Sequence, residues 1–310
     1  MGKVTVVGSY IVAAVMDTDR IPIEGETLIG RNYHVTHGGK GSNMAVCAAR
    51  LGAESRFMGK IGKDNFGEQF VDLLKDEGVA SDSVLYSDNL PTAIGFIIFS
   101  TTGSNIIVID IAANGEFLPD DINDNEDVIR NSQVIVSPLE IPLQTALAAA
   151  KVAKSSGVRS ILNPAPAVDL RKEDLSDVFA LTPNETEGRV CLGLAPDDPI
   201  CDDDLARALL RLGAENIMLT VGEKGVIWVS KDGLKRIPAL SVNVLDTVGA
   251  GDAFNAGLAV GLSEGKPVAE AIAFAVTAAS LSTEHRETID SYQHRQKVEA
   301  RLAEVVSKIE

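Results

Sequence analysis

Positive charge is scarce in this chain. Its 310 residues carry 28 Lys and Arg against 44 Asp and Glu, a formal net charge of −16. Nucleic-acid and anionic-membrane binding both need clustered Lys and Arg, so neither partner is expected. An anionic ligand must be held instead by backbone amides, a metal ion or one placed cation. Cysteine is sparse too. Cys47, Cys191 and Cys201 are odd in number and share no metal-ligand spacing, which predicts free thiols in a reducing cytoplasm. The histidines at 34, 37, 285 and 294 form no HExxH pattern, so structural zinc is not expected. No apolar run approaches the roughly 18–20 residues of a membrane span. The opening Met-Gly-Lys-Val-Thr-Val-Val-Gly has no basic stretch before a long apolar core, so no secretory signal is read there.

What the chain has is rhythm. With 45% hydrophobic and 23% charged residues it suits a globular fold. Residues 4–7 are a β-branched run stopped by Gly8, the pattern of a buried parallel strand. Runs at 134–136, 159–162 and 217–220 read alike. Helices are expected at 42–51, closed by Gly52, and at 67–77, 144–155 and 203–212. This alternation predicts an α/β fold with a doubly wound, mostly parallel central sheet flanked by helices. Two stretches break it. Residues 93–99 and 105–111 are β-rich around a Ser-Thr-Thr-Gly-Ser turn, a hairpin pattern in which the covered face of the second strand stays open. Residues 11–37 are extended and punctuated by Gly and Pro. Segments 11–37 and 92–112 are expected to form a small β-sheet lid on one domain spanning 1–310. The acidic run Asp197, Asp198, Asp202, Asp203 and Asp204 reads as a solvated helix start rather than a cation loop. Residues 292–309 read as an amphipathic packing helix.

Four segments bear on chemistry. In Asp246-Thr-Val-Gly-Ala-Gly-Asp-Ala-Phe-Asn-Ala-Gly257, the small residues Gly249, Ala250 and Gly251 allow a sharp turn into a helix. Exposed amides there would make an anion hole for phosphate oxygens. Asp252 falls in the same first turn, placed to accept a hydroxyl proton and expected to be kept ionised by those amides. A capping Asp with packing glycines is the structural alternative. Gly38-Gly-Lys-Gly-Ser-Asn43 also leads into a helix but is not a P-loop, because Gly41 follows Lys40 where Ser or Thr is required. Its glycines let backbone approach a polar ligand, and Asn43 offers donors and acceptors for hydroxyls. A structural turn reads equally well. In Thr182-Pro-Asn-Glu-Thr-Glu187, Asn184 and Glu187 share one side of a helical turn, suiting either water-mediated Mg²⁺ or a capping box. Thr220-Val-Gly-Glu-Lys-Gly225 is a strand-end turn able to pass under a nucleotide or simply to close a hairpin.

The order of these pieces is more specific than any one of them. Gly8-Ser9, Pro22-Ile-Glu-Gly-Glu-Thr27, the Gly38 loop, Gly62-Lys-Asp-Asn-Phe-Gly67, Asn163-Pro-Ala-Pro166 and the segments above resemble the ribokinase-like (PfkB) carbohydrate kinases along essentially the whole chain. The resemblance implies a sheet flanked by helices, a β lid that closes over the sugar, and a homodimer through that lid. It implies ATP as co-substrate and a small hydroxylated acceptor, with Asp252 as base and Gly249, Ala250 and Gly251 as anion hole for the γ-phosphoryl. Asn184 and Glu187 would order Mg²⁺ and phosphate. Thr220, Gly222 and Gly225 would line the ATP groove. Gly39, Lys40, Asn43 and Glu140 would face the acceptor.

Two departures stand out. Ribokinases read GSxNxD at the first strand end, with Asn and Asp on sugar hydroxyls; here Ile11 and Ala13 occupy those places. Apolar residues cannot replace that recognition, so ribose held in the usual way is not expected. Tyr10, Asp17 or His37 are the compensating candidates; Tyr10 also reads as a core aromatic, and Asp17 and His37 as lid surface. After Thr283 the chain reads Glu-His-Arg-Glu-Thr-Ile-Asp-Ser291, not the GAxxS-like loop that encloses a monovalent cation in many relatives. Asp246 remains, but the rewriting argues against K⁺ activation. The leading expectation is an ATP-dependent sugar or polyol kinase. A nucleoside kinase and a catalytically silent ligand-binding member are the alternatives.

Overall fold

A computed structural model describes residues 1–309. Its strands in chain order begin with β1 (Lys3–Val7), β2 (Ile11–Thr18), β3 (Arg31–Gly38), β4 (Glu54–Ile61), β5 (Ala80–Tyr86), β6 (Ile94–Ser100) and β7 (Asn105–Asp110). They continue with β8 (Val134–Pro138), β9 (Arg159–Asn163), β10 (Ala180–Leu181), β11 (Asn216–Thr220), β12 (Val226–Ser230) and β13 (Gly233–Ile237). Nine form one sheet in the order β13-β12-β11-β10-β9-β8-β1-β4-β5. It is parallel from β5 through β11, and β12 and β13 add an antiparallel edge.

Strands covered on both faces read as continuous apolar runs, and this sheet shows why. Val4, Val6, Val136, Ile161 and Met218 point into one core with the helices Lys40–Arg50, Ala250–Ser263 and Val268–Ser282. Val7, Ile135, Leu162, Ile217 and Leu219 point into a second core with the helices Leu143–Ser155 and Asp202–Leu210. Asp202, Asp203 and Asp204 occupy the first turn of the last helix, as a dipole-complementing start should.

The four remaining strands make the lid, in the order β3-β2-β6-β7. β6 and β7 pair antiparallel, as the hairpin pattern predicts, while β2 and β6 pair in parallel. Both faces of β7 are open: all six of its residues are exposed. The C-terminal helix is shorter than its pattern suggested. It runs Arg295–Val306, and Tyr292 lies outside it with its ring in the first core. No helix among the described residues is long and apolar enough to cross a membrane.

Candidate active site

The expected site residues converge at the carboxyl ends of parallel strands, where open α/β sheets leave a crevice. Glu140 follows β8, Asn184 follows β10 and Thr220 ends β11; Ser9, not among the expected residues, follows β1 beside them. Asn184 and Thr220 meet in an isolated parallel bridge.

Asp252 sits in the first turn of the helix Ala250–Ser263 and is only 5% exposed. Its Oδ2 accepts from Asn43 Nδ2 at 2.8 Å, and Lys40 Nζ stands 4.0 Å from its Oδ1. The Gly38 loop and the Asp246 segment, 209 positions apart in sequence, therefore meet at one carboxylate. Burial raises the Asp252 carboxyl above its ordinary value, and Lys40 and Asn43 only oppose that rise. The helix amides were expected to favour the charged form; here burial, which favours the neutral form, is the larger influence. Lys40, in turn, is pushed up by the Asp252 charge.

Not every expected amide is free. The Ala250 N–H donates to the Thr247 carbonyl at 3.2 Å. Those of Gly251 and Asp252 have no acceptor among the described residues, so these two can bind an anion. Gly249 caps the helix in the left-handed region, φ 81°.

Beside the Gly38 loop, Glu140 Oε2 takes Ser9 Oγ at 2.5 Å and the Lys40 amide at 2.7 Å. Burial raises its carboxyl too, against Ser9 and Lys40. Asn43 Oδ1 is buried and accepts no hydrogen bond among the described residues. Tyr10 is spent within the protein. Its ring stacks on Phe70 at 4.0 Å and its hydroxyl meets His37 Nδ1 at 2.9 Å. Asp17 lies out on the lid, its carboxylate taking Asn32 Nδ2 at 2.8 Å. Ile11 packs with Ala93 and Ala112 at the lid's root.

On the other side a cleft of about 1020 Å³ runs past Asn184, Thr220, Gly222, Gly225, Gly251 and Phe254. The Thr220 turn is both things its sequence allowed: it closes the β11–β12 hairpin and lines this cleft. A Cβ at Gly225 would fall 2.1 Å from the Ile237 carbonyl oxygen, so only glycine fits that turn. Asn184 and Glu187 form a capping box, with the Asn184 amide on Glu187 Oε2 at 2.9 Å and the Glu187 amide on Asn184 Oδ1 at 2.8 Å.

Three contributors carried too little signal to be singled out from sequence. Ser9 had only its place beside Gly8. Asn255 accepts from Thr182 Oγ1 at 2.7 Å and donates to the Gly251 carbonyl at 2.9 Å, bracing the helix against β10. Asn114, buried in a four-residue helix, donates to the Tyr10 carbonyl at 2.9 Å and takes the Tyr10 amide at 3.3 Å.

Comparison with known proteins bears on the family and the fold. Residues 1–295 match the pfkB family of carbohydrate kinases. A ribokinase of Haemophilus influenzae is 36% identical over 94% of this chain and 96% of its own. A deoxyribokinase of Salmonella typhi is 35% identical over 93% of this chain and 95% of its own. The structure of Arabidopsis thaliana ribokinase complexed with ribose and ATP superposes with a TM-score of 0.89 at 31% identity, covering 97% of this chain and 99% of that one.

Proposed function

The chain belongs to the pfkB family of carbohydrate kinases, and on that premise we propose that Asp252 activates a hydroxyl of a sugar or polyol for attack on the γ-phosphoryl of ATP. One observation carries this reading. A buried carboxylate held by Asn43 and faced by Lys40 stands in the same helical turn as two unpaired amides, beside a cleft large enough for a nucleotide. Phosphoryl transfer needs mainly positioning and stabilisation of spreading charge. The amides of Gly251 and Asp252 supply that stabilisation, with Lys40 as a placed cation. Asp252, Asn43, Lys40 and Glu140 orient the acceptor, and Asn43 Oδ1 takes a proton donor from it. The proton leaving the acceptor hydroxyl passes to Asp252, whose raised carboxyl makes it a stronger base than an exposed Asp.

Mg²⁺ usually keeps several waters and takes only one or two protein carboxylates beside the phosphates. Glu187 fits that demand, because one of its oxygens caps Asn184 and the other has no partner among the described residues. When bound, Mg²⁺ would neutralise phosphate charge, with Glu187 and Asn184 holding it through water. A monovalent cation fits less well. Asp246 Oδ1 already takes the Val248 amide at 3.0 Å, and the Thr283 carbonyl takes the amides of Leu245 and Asp246. Turnover is therefore expected to be alike in Na⁺ and K⁺ buffers.

At positions 11 and 13, where ribokinases carry polar residues on sugar hydroxyls, this chain has Ile11 and Ala13. A sugar lacking a hydroxyl on that side loses nothing there, which favours a deoxygenated sugar over ribose; a deoxyribokinase stands among the relatives. A nucleoside, with an apolar base toward the same residues, is the second reading. The exposed strands of the lid support a homodimer, and three free cysteines, two of them buried, suit the reducing cytoplasm. The decisive experiment is ATP consumption across ribose, deoxyribose, hexoses, polyols and nucleosides. Turnover on a sugar or polyol supports the proposal. Turnover confined to nucleosides moves the acceptor to the second reading, and none on any acceptor leaves a silent binding protein.

A further inference from the structure

The rewritten segment after Thr283 takes no part in the mechanism above, yet it lies directly against the anion hole. It ends in the short 3-10 turn Ile289–Ser291, followed by Tyr292, which is 2% exposed. The Tyr292 hydroxyl stands 3.5 Å from the Gly249 carbonyl oxygen. That oxygen also accepts the Ala253 amide at 2.9 Å, the first bond of the helix. The contact is tight on the other side as well. A Cβ at Gly249 would fall 2.8 Å from Tyr292 Oη and 3.1 Å from Thr288 Cγ2. The Gly249 carbonyl is the only polar group that this buried hydroxyl meets among the described residues, at long range, and the turn is held as much by the close packing of Tyr292 and Thr288 on Gly249.

The support is itself anchored. Arg50 Nη1 donates to the carbonyls of Ile289 at 2.5 Å and Tyr292 at 3.1 Å, while Nε and Nη2 hold Glu77 at 2.9 Å and 2.6 Å. Arg50 ends the helix whose first turn carries Lys40 and Asn43. One rigid helix thus touches the base at one end and the brace beneath the anion hole at the other. The brace keeps its proton, because burial first, and then the Asp252 charge, push the Tyr292 phenol up.

We propose that Tyr292 is a positioning residue for phosphoryl transfer: its hydroxyl, with the Thr288 side chain beside it, holds the Gly249 turn so that the Gly251 and Asp252 amides face the γ-phosphoryl group. The proposal rests on the kinase reading, so its test must separate the two. Tyr292→Phe keeps the ring and its packing and removes only the hydroxyl. The measurement is calorimetric affinity for the β,γ-imido analogue of ATP and for ADP, both with Mg²⁺, which needs no acceptor. Their ratio is independent of any inactive fraction. In Tyr292→Phe the analogue-to-ADP affinity ratio should fall about 3- to 10-fold while ADP binding stays within about twofold, the scale of one hydrogen bond. With any working acceptor, kcat should fall by a similar factor at unchanged acceptor KM. An unchanged ratio overturns the proposal, as does an equal loss of both affinities, which would mark a merely structural tyrosine. A wild-type protein that binds neither nucleotide would sink the kinase reading itself, and this inference with it.

Discussion

Asp252 is buried beside one lysine and one asparagine, and its carboxyl is raised because burial outweighs both. The sequence placed this residue in the first turn of a helix, and the structure has it there, beside the Gly38 loop. Its ionisation was illegible, because it depends on how deeply the helices Lys40–Arg50 and Ala250–Ser263 close over it, and no local pattern carries that depth. The same buried charge is useful to chemistry and costly to the fold. Asp252→Ala should keep nucleotide affinity and lower kcat by about 10²–10⁴-fold, the usual worth of a general base; calorimetry and a coupled assay measure the two. Asp252→Asn makes a separate point about stability. A carboxyl raised in the folded state favours folding fully below its unfolded value, and that contribution is lost as pH rises through the folded value. The amide carries no such charge, so Asp252→Asn should melt higher than wild type at mildly alkaline pH. The gap should shrink as pH falls through the raised carboxyl's range. A constant gap in scanning calorimetry would mean that Asp252 is not held against its burial.

Elements were more legible than their pairing. Expected helices at 42–51, 67–77, 144–155 and 203–212 appear as Lys40–Arg50, Asn65–Asp76, Leu143–Ser155 and Asp202–Leu210, because each carries an apolar stripe or a glycine stop of its own. The parallel pairing of β2 with β6 was invisible, since it joins strands about 80 positions apart through no local signal. Asp64 shows how such distant parts are fastened. It caps the helix Asn65–Asp76 through Gly67 N at 2.9 Å, and it also takes the amide and hydroxyl of Thr92 at 2.7 Å and 2.8 Å, just before β6 leaves for the lid. The motif Gly62-Lys-Asp-Asn-Phe-Gly67 entered only as part of the family resemblance, and nothing in it named Thr92. Replacing Asp64 by Ala removes the cap and strands the Thr92 amide, which should cost about 2–3 kcal/mol of unfolding free energy. Urea denaturation should show a lower midpoint at unchanged slope. A loss no larger than that of an ordinary surface substitution would mean the Thr92 contacts contribute nothing.

At the scale of the whole molecule, the lid is the part the single chain leaves unfinished. A small sheet normally needs a covered apolar face to be stable, yet Ile106, Ile107, Val108 and Ile109 are all exposed, as are Phe96 and Tyr33. Phe96 and Val108 pair across β6 and β7, and Ile107 lies on the opposite face from Val108. Such a patch on an acidic surface fits a second copy better than a charged partner. Each protomer carries a formal −16, so association works against like-charge repulsion that added salt screens, while apolar burial is not weakened by it. Sedimentation equilibrium should therefore report twice the protomer mass, with the dimer tightening as ionic strength rises. Phe96→Glu combined with Ile107→Glu places charge on both lid faces and should give a monomer whose main sheet, which packs on neither residue, still melts cooperatively. A monomeric wild type, or a double variant that stays dimeric, would move the interface away from the lid.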